Sequence, residues 1–400
     1  MAVDSREYAP HAPGPPDYHP SMHRVLVLGG GFGGIATAVA LRDRLDPADE
    51  VVLVERRPTF VMGLRKNWAL VGASTIAAGE RSLASLADRG IRVVEGTVES
   101  IDPVAKTAVI DGDRIDGDAV VVALGAQRNP DAIPGFREHA IDVYDADGSD
   151  AAAARIEAFA GGRVVIGIFG APYPCPPGPY ELALLLMERF EERSVPGGML
   201  VFTPQAGSLP IIGTEGCAAF DGRLAGSGIT LRPKTVATAV EADAVVTQDG
   251  VRIPFDLLLG VPPHRVPPVV AAAGLTAGGP WVPVDRSTLQ TAFEGVYAIG
   301  DVTAIPLANG NPLPKAGVFA HAEGEVAAAR IADTLARREP TATFTGQGMC
   351  FLETGSGSAT MVAGDFFADP PAVALGTDDA ANLAAKHAFE SDRLTAWFGH

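Results

Sequence analysis

The sequence predicts an α/β fold: two parallel-sheet units, one inserted in the other, with a small α+β domain at the C-terminal end. Three observations carry this reading. Short continuous apolar runs recur at residues 25–28, 51–54, 119–124, 163–169 and 296–299, as strands buried on both faces require. The first of these runs into a glycine-rich turn and then an apolar-faced helical stretch, residues 35–45. The composition is globular, with 400 residues, 47% of them hydrophobic and 20% charged, enough for two or three domains.

Composition also narrows the function. Against 31 basic residues stand 48 acidic ones, a net charge of −17, which argues against nucleic acid or an anionic bilayer as partner. Three cysteines, Cys175, Cys217 and Cys350, are too few and too scattered for a disulfide scaffold or a zinc site, and no metal centre is expected. No apolar run approaches the ~20 residues that span a bilayer. Residues 1–23 carry His11, His19 and His23 among prolines, without the apolar core of a signal peptide, and read as a disordered arm. The expected location is the cytoplasm, at most peripheral to the inner face of the membrane. There a cysteine pair would be redox-active rather than structural. With only five lysines in the chain (66, 106, 234, 315 and 386), a lysine inside a motif carries weight.

Taken in order, the first unit opens with strand 25–28 and then Gly29, Gly31 and Gly34, which fit G-x-G-x-x-G around Gly30, Phe32 and Gly33. The first glycine allows the tight turn, the second lets backbone approach a pyrophosphate, and the third lets helix lie close on strand. The helix start adds free N–H groups and positive partial charge. Strand 51–54 ends at Glu55, placed to accept hydrogen bonds from ribose hydroxyls, with Arg56 beside it. This motif leaves FAD and NAD both open. Strand 119–124, ending at Ala123 and Gly125, and strand 296–299, ending at Gly300 and Asp301, favour FAD. The second resembles the strand–Gly–Asp element of flavoproteins with two dinucleotide domains, whose aspartate bonds the ribityl or pyrophosphate part of FAD. Pro314, Lys315, Ala316 and Gly317 open an alanine-rich helix running to about Arg337, with Pro314 expected in its first turn. Its N-terminus and Lys315 would place positive charge beside the flavin pyrimidine ring.

The second unit departs from the usual plan. After strand 163–169 a second glycine motif would hold NAD(P)H, but residues 171–181 carry five prolines instead, followed by a helix over 182–193. No phosphate cradle is expected, and NAD(P)H is disfavoured as reductant. In its place stands Cys175, next to a helix start that would lower its thiol pKa. Cys217, in a helical stretch over 214–224, reads as a buried small hydrophobe.

The stretch Pro174-Cys175-Pro176-Pro177-Gly178-Pro179-Tyr180-Glu181 resembles the segment bearing the central redox cysteine in the flavoprotein subunit of flavocytochrome c sulfide dehydrogenase and in sulfide:quinone oxidoreductases. The likeness continues through Val261-Pro262-Pro263, Pro283-Val284-Asp285, Gly300-Asp301 and Pro314-Lys315 to Gly346-Gln347-Gly348-Met349-Cys350-Phe351-Leu352-Glu353, covering nearly all of residues 24–400. The resemblance implies two Rossmann-like dinucleotide-binding domains. The FAD domain would span 24–150 and 265–338, an inserted domain without the NAD glycine motif 151–264, and a C-terminal interface domain 339–400. It implies FAD as cofactor and a redox pair of Cys175 and Cys350 that oxidises sulfide or a related sulfur species. Glu181, Glu353 and His264 are its candidate proton handlers, and quinone the acceptor by elimination. Two departures are informative. The region of Gln127-Arg128-Asn129-Pro130 lacks the third cysteine common in sulfide:quinone oxidoreductases, and Thr59-Phe60-Val61-Met62-Gly63 offers no cysteine for covalent attachment, so FAD should be non-covalent. A strand-like stretch over 341–351 and a last helix over 384–398, with Leu394, Trp397 and Phe398 on its apolar edge, close the chain. That edge suits core or a homodimer contact better than a membrane. The alternatives are an NAD(P)H-driven flavin reductase of the type II NADH dehydrogenase kind and a low-turnover, redox-sensing flavin protein.

Overall fold

The computed structural model of the protein describes residues 22–399. The expected N-terminal arm therefore lies outside the described residues, save for Met22 and His23.

Four of the five strands predicted from continuous apolar runs share one parallel sheet, which Ile91–Glu95 extends at its edge, while the run at 163–169 falls in a second sheet. The order of the first is Val296–Ala298, Ala119–Val122, Arg24–Leu28, Glu50–Glu55 and Ile91–Glu95. Val25, Leu26, Val27 and Leu28 are all fully buried because both faces of the sheet are covered. On one face Val25, Val27 and Leu53 meet the helices Phe32–Arg42 and Gly317–Leu335. On the other Leu26, Leu28, Val52 and Val54 meet Ile101, Val270 and Trp281. The edge strand Val296–Ala298 comes from late in the chain, so the sheet is completed only after the second unit has been inserted.

The two helices lie close because glycine stands where they cross. A Cβ at Gly324 would fall 2.6 Å from the Thr37 hydroxyl oxygen and 2.9 Å from the Gly33 carbonyl oxygen. The second sheet is also wholly parallel, in the order Ile141–Asp142, Leu257–Val261, Gly162–Ile168, Gly197–Phe202 and Ile229–Arg232. Helices Gly178–Glu192 and Gly213–Gly226 bury Leu182, Leu186, Phe220 and Leu224 against it, and Cys217 is buried among them as a small apolar side chain. An antiparallel sheet of Gln347–Gly355, Ser358–Asp365 and Ala372–Leu375 follows, with the helix Ala380–Phe398 against it.

Several boundaries differ from expectation, each for a local reason. Helix Gly178–Glu192 starts four residues early, since Pro179 supplies a preset φ in its first turn. The Gly317–Leu335 helix starts after Pro314 rather than on it; residues 314–316 are extended, and Lys315 forms a parallel bridge with Pro174. The C-terminal strand begins at Gln347, because Gly346 has a φ of +72° that breaks extension. The last helix begins at Ala380, where the Asp379 carboxylate caps it by accepting from the Ala381 N–H at 2.8 Å. Its Leu394, Trp397 and Phe398 are buried, Trp397 edge-on to Phe32 at 4.9 Å, so this edge is core. Among the described residues no helix is long and apolar enough to cross a membrane.

The glycine turn admits no side chain at its third position: a Cβ at Gly34 would sit 1.8 Å from the Gly29 carbonyl oxygen. Gly34→Ala should lower unfolding free energy by about 2 kcal/mol or more and abolish FAD retention. Thermal melts and the flavin absorbance of the purified variant check this.

Candidate active site

Around the glycine turn the backbone is arranged to receive a phosphorylated ligand. Gly29 has a φ of +111°, and nothing lies within 4 Å of where a Cβ on Gly31 or Gly125 would be. Helix Phe32–Arg42 starts at Gly31 with no side-chain cap and no acid in its first turn, which leaves its first N–H groups and its positive end free. The same holds for helix Gly317–Leu335, which starts at Ala316. Glu55 braces the turn: its carboxylate accepts from the Gly30 N–H at 2.8 Å and from the Arg56 and Arg57 N–H groups at 3.0 and 3.1 Å. Lone pairs remain for a ribose. The Arg56 side chain is exposed. Ala123 closes over the turn, its carbonyl oxygen 2.4 Å from where a Gly29 Cβ would be. Gly300 has a φ of +70° and donates its N–H to Glu323 at 2.5 Å. Beside it the Asp301 carboxylate has no hydrogen-bond donor among the described residues, and burial raises its pKa against the pull of Lys315 and Lys66. An unpaired carboxylate, two uncapped helix starts and an open glycine turn fit FAD, which would be held by Gly29, Gly31, Phe32, Gly33, Gly34, Glu55, Gly300, Asp301 and Ala316.

Lys315 does not extend freely toward this cleft. Its ammonium donates to the Asp301 and Thr303 carbonyls at 2.6 and 3.0 Å and lies 3.6 Å over the Trp281 ring. Burial lowers its pKa to about 8 against the pull of Asp301 and Glu323. It is a clasp for the Gly300–Asp301 turn, and its own carbonyl accepts the Cys175 N–H at 2.6 Å.

That bond sets the cysteine loop. Cys175 has a φ of +49°, uncommon for a side-chain-bearing residue, and three hydrogen bonds hold it there. Besides the bond to Lys315, its carbonyl accepts from the Gly178 N–H at 2.9 Å and the Tyr144 hydroxyl at 3.0 Å. Part of the residue is exposed, while the surrounding protein is close enough for burial to act on the thiol. Cys350, on strand Gln347–Gly355, is close enough for charge on Cys175 to raise its pKa, and both thiols are free. The expected lowering of the Cys175 pKa by the helix start is overturned. Burial pushes this thiol up to about 11 and Glu181 adds to the rise, against Lys386, Lys66 and the Gly178 N–H. Burial pushes Cys350 up to about 12.

Behind the two cysteines lies a buried polar cluster. Lys386, on the last helix, donates to Glu181 and to Glu353, each at 2.8 Å. Glu181 also accepts from Asn67 at 2.9 Å and from the Glu353 backbone N–H at 2.9 Å; Glu353 also accepts from the Trp68 indole. Burial by itself would lower the Lys386 pKa, but the two carboxylates override it and the net direction is up. One turn further on, Arg65 makes a two-point pair with Glu390.

The structure thus brings Cys175, Cys350, Glu181 and Glu353 together and leaves His264 at the rim, edge-on to Tyr144 at 5.8 Å. Burial and the cations Lys66, Arg128 and Lys315 push His264 down to about 4, so its imidazole is neutral at pH 7 and unsuited to cycle a proton there. Sequence reasoning missed Lys386, Lys66, Asn67, Trp68 and Tyr144. The scarcity of lysine was the available signal: Lys66, Lys315 and Lys386 all converge here, though the sequence singles out only Lys315. Lys66, whose pKa burial lowers, lies over the Tyr144 ring at 4.9 Å.

A Rossmann-type sheet with an open glycine turn, an unpaired aspartate and two adjacent thiols defines a flavin-dependent oxidoreductase. Residues 23–167 match the model of the pyridine nucleotide-disulphide oxidoreductase family. The mouse mitochondrial sulfide:quinone oxidoreductase is 25% identical over 369 residues, covering 87% of this chain and 79% of that protein. The flavoprotein chain of sulfide dehydrogenase [flavocytochrome c] from Chlorobaculum thiosulfatiphilum is 58% identical over 38 residues, which cover 10% of this chain and 77% of that sequence. The solved sulfide:quinone oxidoreductase of Aquifex aeolicus superposes with a TM-score of 0.85 at 24% identity, over 94% of this chain and 92% of that one. Residues 23–167 thus carry a pyridine nucleotide-disulphide oxidoreductase domain, and the protein is an FAD-dependent oxidoreductase.

Glu323, fully enclosed beneath Gly300, generates a pH prediction. Burial raises its pKa to about 7 from the ordinary 4.5. A carboxyl whose folded pKa is the higher binds its proton more tightly when folded. Its contribution to stability is therefore full below about pH 4.5 and is lost as pH rises to about 7. Glu323→Gln should remove a loss on the order of 3 kcal/mol across that window. Urea unfolding of both proteins at several pH values, at one FAD concentration, measures it; parallel stability curves contradict it.

Proposed function

We propose that the protein oxidises hydrosulfide through a Cys175/Cys350 redox pair and passes the electrons by way of FAD to a quinone. The observation that carries this reading is the meeting of two cysteines, far apart in sequence, in one electrostatically coupled pocket beside the Gly300–Asp301 turn. The names of the relatives support the substrate and the acceptor. The reading takes the domains to be 24–150 with 265–338 for FAD, 151–264 for the inserted unit and 339–400 for the interface.

The two free thiols are the reduced form of the pair. In the oxidised form, hydrosulfide attacks Cys350 sulfur of the Cys175–Cys350 disulfide. The S–S bond breaks, an S–SH bond forms at Cys350, and Cys175 leaves as thiolate. Hydrogen bonds to Lys315, Gly178 and Tyr144 fix the Cys175 backbone, and Lys315 in turn holds the Gly300–Asp301 turn where FAD would lie. FAD, when bound without a covalent link, supplies the two-electron acceptor between the cysteines and the quinone. Glu181, whose charge acts on both thiols, is the carboxylate proposed to take the proton of the persulfide, with Glu353 held beside it through Lys386.

Hydrosulfide added anaerobically to the FAD-loaded protein should bleach the flavin, and NADH should not, since residues 171–181 form no phosphate cradle. Cys175→Ser and Cys350→Ser should each slow bleaching at least about 100-fold in stopped-flow absorbance. Bleaching by NADH and not by hydrosulfide would favour a nicotinamide-driven reductase. Bleaching by neither would favour a redox sensor.

A further inference from the structure

Lys386 has no part in that bond exchange, yet it is the most completely enclosed cation beside the cysteines. Its side chain is 3% exposed, and two of its three donors are spent on carboxylates from different parts of the chain. Glu181 lies in the first turn of the helix that Cys175 precedes, and Glu353 lies on the strand that carries Cys350. We propose that Lys386 is a positioning residue of the cysteine site, the fixed counter-charge that favours the thiolate on Cys175. It rests on the reading above only for the use to which that thiolate is put.

The geometry explains why the charge is held rather than merely present. Glu181 faces Cys175 and acts against its ionisation. If Glu181 stood alone, the pocket would confront a leaving thiolate with an uncompensated negative charge in a poorly solvated place, where such repulsion is strongest. Lys386 opposes it from 2.8 Å, and Asn67 and the Glu353 N–H keep the Glu181 carboxylate turned toward the ammonium. The Trp68 indole holds Glu353, and stacking of Trp68 on His387 at 4.5 Å fixes the helix register. The charged groups that face this place are Glu181, Glu353 and Lys386 from behind, Lys66 from the opposite side, and the self-contained Arg65–Glu390 pair one turn on. Lys66 has no carboxylate partner, only the Tyr144 carbonyl at 3.4 Å, so Lys386 is the better fixed of the two cations.

The test reads Cys175 without sulfide, so it fails or succeeds apart from the proposed substrate. In full-length, FAD-loaded, reduced protein carrying Cys350→Ser, alkylation of Cys175 by iodoacetamide is followed by peptide mass spectrometry across pH 6–11. Lys386→Met should slow alkylation about tenfold at every pH below about 10, the effect of raising the thiol pKa by about one unit. Lys386→Arg, which keeps the charge, should stay near the parent. Lys386→Met leaves two carboxylates facing each other and is at risk of misfolding. The double variant Lys386→Met/Glu353→Gln removes one charge of each sign and should show the same slowing. An unchanged alkylation rate in a folded, FAD-loaded double variant overturns the proposal, as does an equal slowing in Lys386→Arg.

Discussion

The structure turns on a requirement that buried charge imposes. An ammonium taken out of water must find carboxylates, and the carboxylates must in turn fill their remaining acceptor positions. Lys386 meets this by drawing Glu181, Glu353, Asn67 and Trp68 to one point. Those five residues come from three regions: the short helix Arg65–Leu70 of the first unit, the helix that follows the cysteine loop in the second, and the strand and helix of the C-terminal segment. A pair of this kind adds little net stability, yet losing one partner costs about 3–5 kcal/mol. Its value is registry: with Lys386 seated, Cys350 and the helix behind Cys175 have one relative placement.

A second constraint joins the cysteine loop to the nucleotide turn. Lys315 holds the Gly300–Asp301 turn through its ammonium and the Cys175 N–H through its carbonyl. Cys175 is thereby referenced to the edge of the first sheet, although its chain continues into the second. Cys350 is referenced to a different sheet. The two cysteines are thus placed by different sheets rather than by one rigid element.

Most of the fold was legible because it is written in local pattern. Short continuous apolar runs bounded by turn residues favour buried parallel strands, and the Gly29, Gly31, Gly34 spacing after the first of them favours a tight strand-to-helix turn. The cysteine pair was legible by resemblance. What escaped was set by contacts distant in sequence. Nothing around Lys386 or Lys66 says that two scarce lysines meet one pocket, and Lys315 looked like a flavin-facing cation because its carbonyl partners were invisible. The Cys175 thiol was misjudged for a related reason. A helix start is a local cue that lowers a thiol pKa, whereas burial raises it, and only the second depends on the tertiary fold.

The Arg65–Glu390 pair joins residues 325 positions apart. Closing so long a loop costs conformational entropy before any contact repays it, so this part of the site belongs to the late stages of folding. During synthesis the first sheet can gather its early strands while Arg65, Glu181 and Lys386 are still solvated and cost nothing. The helix Ala380–Phe398 leaves the ribosome after the elements it packs against, and the charges leave water together when it docks. The order in which the chain is made therefore keeps its most expensive burial for the moment when every partner is at hand.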